Sequence, residues 1–150
     1  MDGDFICEKS IHLDFPATEH DARVALDFIT SVLRSIPVAP AGVERAELAL
    51  AEVFNNIVEH AYAPGPPGHV RGDFRITDRF ITCVVEDDGK ALPDLKILFR
   101  HGGSLQVARD ALPEGGFGWG LIRDLVQDIQ YSRRSDGNRL QFLISVGASA

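Results

Sequence analysis

One stretch, Val43 to Tyr62, restricts what this chain can become, because it carries two helical periods at once. Val43, Ala46, Leu50, Val53, Ile57 and Ala61 recur at steps of three or four residues, which makes one apolar face of a helix. Glu52, Asn56 and His60 recur at steps of four, a second stripe that drifts only about 40° per step around the same helix. A polar stripe beside a core face has two readings: side chains sent to water, or one wall of a site. In either case the apolar face needs a second layer to cover it.

The flanking sequence supplies that layer as strands. Ile11, Leu13 and Phe15 alternate with His12 and Asp14, a half-buried strand that reaches back towards Phe5 and is ended by Pro16. Thr18 stands at an N-cap position with Asp21 three residues on, and the helix that follows presents Val24, Ala25, Phe28, Ile29, Val32 and Leu33 as one apolar face until Ile36-Pro37 stops it. Residues 37–42 read as a short connector, after which the central helix runs to about Tyr62. Ala-Pro-Gly-Pro-Pro-Gly, residues 63–68, is incompatible with helix. Val70, Phe74 and Ile76 alternate, Thr77-Asp78-Arg79 reads as a turn, and Phe80 to Val85 forms an antiparallel partner closed by Glu86-Asp87-Asp88-Gly89-Lys90.

From Leu92 to Gly116 the pattern is weak, as in a lid or binding loop. Glu114-Gly-Gly-Phe-Gly-Trp-Gly120 then runs into Leu121, Ile122, Leu125 and Val126, a short amphipathic helix. Ile129 and Tyr131, then Leu140, Phe142 and Ile144, make a last hairpin around Ser135-Asp136-Gly137-Asn138. This order predicts a single domain over residues 1–150. Its fold class is an α/β (α+β) two-layer sandwich, with helices on one face of a mostly antiparallel sheet.

Charge and cysteine usage narrow the function. A formal charge of −7 with no basic stripe argues against direct nucleic-acid binding. Cys7 and Cys83 are isolated, as suits small buried residues in a reducing compartment. The acidic start and the lack of any apolar run near the roughly 18 residues of a membrane span point to a cytoplasmic protein with no membrane partner.

Two further places can hold chemistry. A glycine-rich loop opening a helix offers backbone N–H groups and the positive end of the helix dipole to phosphate, although such loops also serve as plain punctuation. Asp87 and Gly89 end a buried strand, where a carboxylate can accept from a ligand and a glycine lets it approach, or where the chain merely turns. The glycines come too late in the chain for a dinucleotide-binding βαβ unit, and no GxxxxGK[ST] occurs.

Taken together the three places are more specific. Glu-x-x-x-Asn-x-x-x-His over Glu52–His60, Asp-x-Gly over Asp87–Gly89 and Gly-x-Gly-x-Gly over Gly116–Gly120 resemble the N, G1 and G2 boxes of the GHKL ATPase superfamily. Within it, Asn-x-x-x-His-Ala-Tyr and Gly-Leu-Ile-Arg-Asp-Leu resemble the anti-sigma-factor serine kinases of bacterial partner-switching systems, over roughly residues 5–146. The resemblance implies a Bergerat-type fold that binds ATP and Mg²⁺ between the central helix and the lid. By matching position it implies that Asn56 is the Mg²⁺ ligand and that Glu52 is the catalytic base towards a protein serine. His60 would shape the nucleotide pocket, Asp87 with Gly89 would receive adenine, and Gly116, Phe117, Gly118, Trp119 and Gly120 would close over the phosphates. The implied partners are a sigma factor, a STAS-domain anti-anti-sigma protein and a second copy of the chain, through a strand containing Phe5, Ile11, Leu13 and Phe15. The other function to weigh is a nucleotide-binding interaction module without useful kinase activity.

Three positions depart from the pattern. Ala91 replaces the second glycine of the G1 box, Glu114 stands where several relatives carry arginine, and the last hairpin, Asn138-Arg-Leu-Gln-Phe142, lacks the relatives' serine or threonine. An acid near a triphosphate is unfavourable, so another cation such as Arg100, His101, Arg109 or Arg123 substitutes for the missing arginine, or transfer is slow.

Overall fold

The computed structural model describes residues 8–61, 68–91 and 117–147, with the side chains of residues 60–61 and 117–119 outside that description. The elements are β1 (Lys9–Pro16), α1 (Glu19–Arg34), α2 (Pro40–Asn56), a π-helical turn (Ile57–Ala61), β2 (His69–Ile76), β3 (Phe80–Asp87), α3 (Phe117–Leu125), β4 (Gln127–Arg134) and β5 (Gly137–Ser145). The strands form one antiparallel sheet in the order β1-β2-β3-β5-β4. This is the expected α/β sandwich. The expected extension of β1 to Phe5, the end of the central helix at Tyr62, and the lid at 92–116 with Gly116 all lie outside the described residues.

Period-two patterning builds the sheet. Along β2 the inward positions Val70, Gly72, Phe74 and Ile76 are buried while Arg71, Asp73 and Arg75 face out. Ile81, Cys83 and Val85 of β3 and Leu140, Phe142 and Ile144 of β5 continue that inner face. Burial pushes the Cys83 thiol well above its usual range, as in an inert core cysteine. Phe54 of α2 meets Phe15 of β1 edge to face, with ring centroids 5.3 Å apart. Fully burying a side chain such as Phe54, Phe74 or Phe142 contributes about 1.5–3 kcal/mol.

The helices start and stop for identifiable reasons. The Thr18 hydroxyl accepts from the Asp21 backbone N–H at 3.0 Å and donates to the Asp21 carboxylate at 2.7 Å, closing the first turn of α1. The helix ends at Arg34, capped by Ser35, ahead of Ile36-Pro37. Its buried side is narrower than expected. Ala22, Ala25, Ile29 and Leu33 face the core, whereas Val24 and Phe28 are half exposed, because only about a third of a helix circumference meets the sheet.

The connector predicted over 37–42 is shorter than expected. Pro40 occupies the first turn of α2, where its fixed φ and missing N–H cost nothing. Gly42 is already inside the helix. A Cβ there would stand 2.5 Å from the Val146 carbonyl oxygen, so glycine lets α2 lie directly on the end of the sheet. At the other end the regular α-helix gives way after Asn56 to Ile57–Ala61, which close wider i→i+5 rings. Strand β4 begins at Gln127, earlier than its apolar pattern indicates, and contains a register shift between Gln127 and Gln130 where Asp128 adopts φ 54.

Candidate functional site at one end of the sandwich

Strand directions bring the sequence motifs to one end. Pro16 of β1 pairs with His69 of β2, Val70 with Asp87 of β3, Asp87 with Asn138 of β5, and Arg134 of β4 with Gly137. The end of β3 and the start of β5 therefore share one rim. Helix α2 starts at the opposite rim, where Gly42 meets Val146 and Arg45 donates to the Ser145 carbonyl at 3.1 Å, so Asn56 and the π-helical turn lie towards the Asp87 rim. Helix α3 packs against α2 and ends just before Gln127, which pairs with Leu143 near the far rim. The glycine motif is partly helical, Phe117–Gly120 forming the glycine-rich first turn of α3.

On α2, Glu52 and Asn56 occupy the flank turned away from α1. The α1 side is formed by Ala51, Phe54 and Asn55, which line a groove of about 150 Å³ with Glu19, Arg23 and Leu26. Asn56 is buried, and its Nδ2 donates to the Glu52 carbonyl one turn back at 2.7 Å. A carbonyl only accepts, so the amide nitrogen must face it and Oδ1 points away. Among the described residues nothing donates to that oxygen. The Glu52 side chain is half-buried and is joined to no described partner. His60 lies in the π-helical turn, so the α-helical stripe that joined it to Glu52 and Asn56 ends at Asn56.

The second cluster is built on Asp87, 6% exposed at the end of β3. Its Oδ1 accepts from the Gly89 N–H at 2.8 Å and from Asn138 Nδ2 at 2.9 Å. Burial raises its pKa, opposed by the Asn138 and Gly89 hydrogen bonds and by Arg133, with Asp88 adding to the rise. No described residue donates to Oδ2. Asn138 also donates to the Lys90 carbonyl at 2.7 Å, while its Oδ1 accepts from the Tyr131 hydroxyl and from Arg133 Nη1 at 3.3 Å. Arg133 reaches on to the Gly89 carbonyl at 2.7 Å. Gly89 itself is buried.

The sequence reading missed Asn138, Tyr131 and Arg133. They stand in the hairpin where a relative's hydroxyl was sought, and only the pairing of Asp87 with Asn138 across 51 positions reveals them. Gly120 is buried in α3; Gly116, Glu114, Arg100, His101 and Arg109 lie outside the described residues, as do the side chains of His60, Phe117 and Trp119. Among the described residues no three His, Cys, Asp or Glu side chains gather to hold a metal, and no helix is long and apolar enough to cross a membrane.

The donor set suits a nucleotide with Mg²⁺. A buried neutral amide oxygen without a partner is a hard ligand of the kind Mg²⁺ accepts alongside phosphate and water. A buried carboxylate oxygen without a partner calls for a donor such as an exocyclic amine.

Residues 15–144 match the family model described as the histidine kinase-like ATPase domain. The chain is 35% identical over 96 residues to the serine/threonine-protein kinase BtrW of Bordetella bronchiseptica, covering 62% of this chain and 63% of that relative. It is 26% identical to the serine-protein kinase RsbW of Oceanobacillus iheyensis, over 83% of this chain and 79% of the relative. It is also 24% identical to the anti-sigma F factor of Clostridium novyi, over 81% and 82%.

Proposed function

The chain belongs to the histidine kinase-like ATPase family, and on that premise we propose that it is an ATP-dependent serine-protein kinase and anti-sigma factor. In this reading it binds a sigma factor and phosphorylates a STAS-type antagonist of that binding. What carries the reading is a pair of buried acceptors at one rim, Asn56 Oδ1 and Asp87 Oδ2, that no described residue satisfies. The names of the relatives, two kinases and an anti-sigma factor, supply the reaction class.

Bound ATP with Mg²⁺ would supply the transferable phosphoryl group and the charge neutralisation its transfer needs. Asn56 offers its amide oxygen to the metal, held in that orientation by the bond from its nitrogen to Glu52. Glu52, one turn earlier on the same flank, takes the proton from the partner's serine hydroxyl. Asp87 accepts from the adenine amino group, Gly89 leaves room for the ring, and Gly116–Gly120 close over the phosphates. His60 shapes the pocket wall. The protein acts as a cytoplasmic homodimer, joined through the outer edge of β1, with which no described strand pairs.

The test is incubation with ATP, Mg²⁺ and a STAS-domain protein encoded beside it. Phosphoserine on that protein is the expected result, and its absence with a binding-competent partner refutes the kinase assignment. The alternative, a nucleotide-dependent interaction module without transfer activity, is favoured by Glu114, an acid where a cation is expected. It predicts sigma-factor binding without phosphoserine.

A further inference from the structure

The β4–β5 hairpin of this chain meets Asp87 through the side chain of Asn138. An asparagine can donate twice and accept twice, and Asn138, 3% exposed, uses all four capacities. It donates to Asp87 Oδ1 and to the Lys90 carbonyl, and it accepts from Tyr131 and Arg133. Its amide orientation is therefore fixed from both ends, and it has nothing left to offer a ligand. The effect passes through Asp87: with Oδ1 occupied by Gly89 and Asn138, Oδ2 is the one carboxylate oxygen that no described residue engages.

We propose that Asn138, backed by Tyr131 and Arg133, is the positioning and specificity-determining residue of the nucleobase subsite, holding Asp87 as an acceptor aimed at a base edge that donates. The proposal rests on the nucleotide-binding reading above. A base with an exocyclic amine facing Oδ2 gains a charge-assisted hydrogen bond, whereas a carbonyl in that position meets an acceptor with an acceptor. Arg133 has a second part. By holding the Gly89 carbonyl while Asn138 holds that of Lys90, it ties the chain leaving β3 to the hairpin, so the floor of the subsite and its carboxylate are set by the same two side chains. A hydroxyl at position 138 reaches fewer of these groups at once.

Asn138 acts through another residue, so the test needs a readout that general loosening of the fold does not move. Among the described residues, the groups around the carboxylate that carry or can take charge are Asp88 and Lys90 on the segment leaving β3, His69 at the start of β2, and Tyr131 and Arg133 on β4. Of these, Arg133 and the Asn138 donor favour the ionised form that burial opposes. Calorimetric titration of wild type, Asn138→Ala and Arg133→Gln with ADP and GDP, at several values between about pH 5 and pH 8, reads the effect.

The expected result for Asn138→Ala is a loss of ADP affinity of roughly tenfold or more at neutral pH, as for a lost hydrogen bond to a charged group. Its preference for ADP over GDP narrows, and the acid-side fall in ADP affinity moves to higher pH. Arg133→Gln moves the acid limb in the same direction by less, and as a change at an exposed position it serves if Asn138→Ala fails to fold. Folded variants that bind ADP with wild-type affinity and pH profile overturn the proposal, and so does a loss that is the same at every pH. A wild-type protein that binds neither ADP nor ATP overturns the nucleotide reading itself, and the proposal falls with it.

Discussion

Gly137 and Asp87 lie in such close backbone contact that a Cβ on Gly137 would stand 2.0 Å from the Asp87 carbonyl oxygen. The atom it would meet belongs to the main chain and cannot rotate aside. Gly137→Ala is therefore expected to push β5 off the end of β3, lowering stability by about 1–3 kcal/mol, the usual range for overpacking. Because the next residue is Asn138, ADP affinity should fall as well. Urea unfolding and calorimetry on the same sample check both effects; a variant as stable as wild type would show that the rim tolerates displacement.

Asp87→Asn separates folding from binding. The new side-chain oxygen can still accept from Gly89 and Asn138, but an amide nitrogen replaces the oxygen aimed at a ligand. Burial raises the Asp87 pKa above its ordinary value of 3.8, so the folded state holds this proton more tightly than the unfolded chain does. Its contribution to stability is full below that ordinary value and declines as pH rises through the raised one. The variant should thus match or exceed wild-type stability at neutral pH, lose the advantage on acidification, and bind no ADP. Denaturant melts at about pH 7.5 and pH 5, with ADP titrations alongside, decide it.

Asn56→Ala removes an amide oxygen on α2 that no described residue engages. ATP affinity in the presence of Mg²⁺ should fall by about 1–3 kcal/mol, while affinity measured in a chelator stays close to wild type. Equal losses with and without the metal would place Asn56 in the wall of the pocket and remove it as a ligand.

Glu52→Gln keeps the shape of a half-buried side chain and nearly its helix propensity. With the proton acceptor gone, phosphorylation of the antagonist should drop roughly 10²–10⁴-fold while ATP and the sigma factor still bind. Wild-type turnover in this variant sinks the assignment of Glu52 as base.

Periodicity made most of the fold legible. The period-two runs at 70–76 and 80–85 became β2 and β3, and the Thr18 and Asp21 pair became a working cap. Asn56 and Asp87, which the motifs single out, are both buried polar residues. What stayed hidden depends on context. Pro-Ala-Gly at 40–42 reads as a linker by composition, but the proline opens a helix and the glycine lets that helix touch Val146. Val24 and Phe28 look like core on a helical wheel, yet α1 has no neighbour on that side among the described residues. The side chain that partners Asp87, Asn138, comes from a hairpin about fifty residues away, and no local pattern encodes a contact that only the sheet register creates.

The π-helical turn at Ile57–Ala61 can also be seen as a step in phase. A wide turn accommodates one extra residue, and one residue is worth about 100° of rotation along an α-helix. Upstream, the core positions from Val43 to Val53 keep the beat of the regular helix, all of them buried. Deleting a single residue within 57–61 is expected to leave the packing of α2 in place while resetting the phase of this turn by that angle, so the turn sets where the polar stripe of α2 stops.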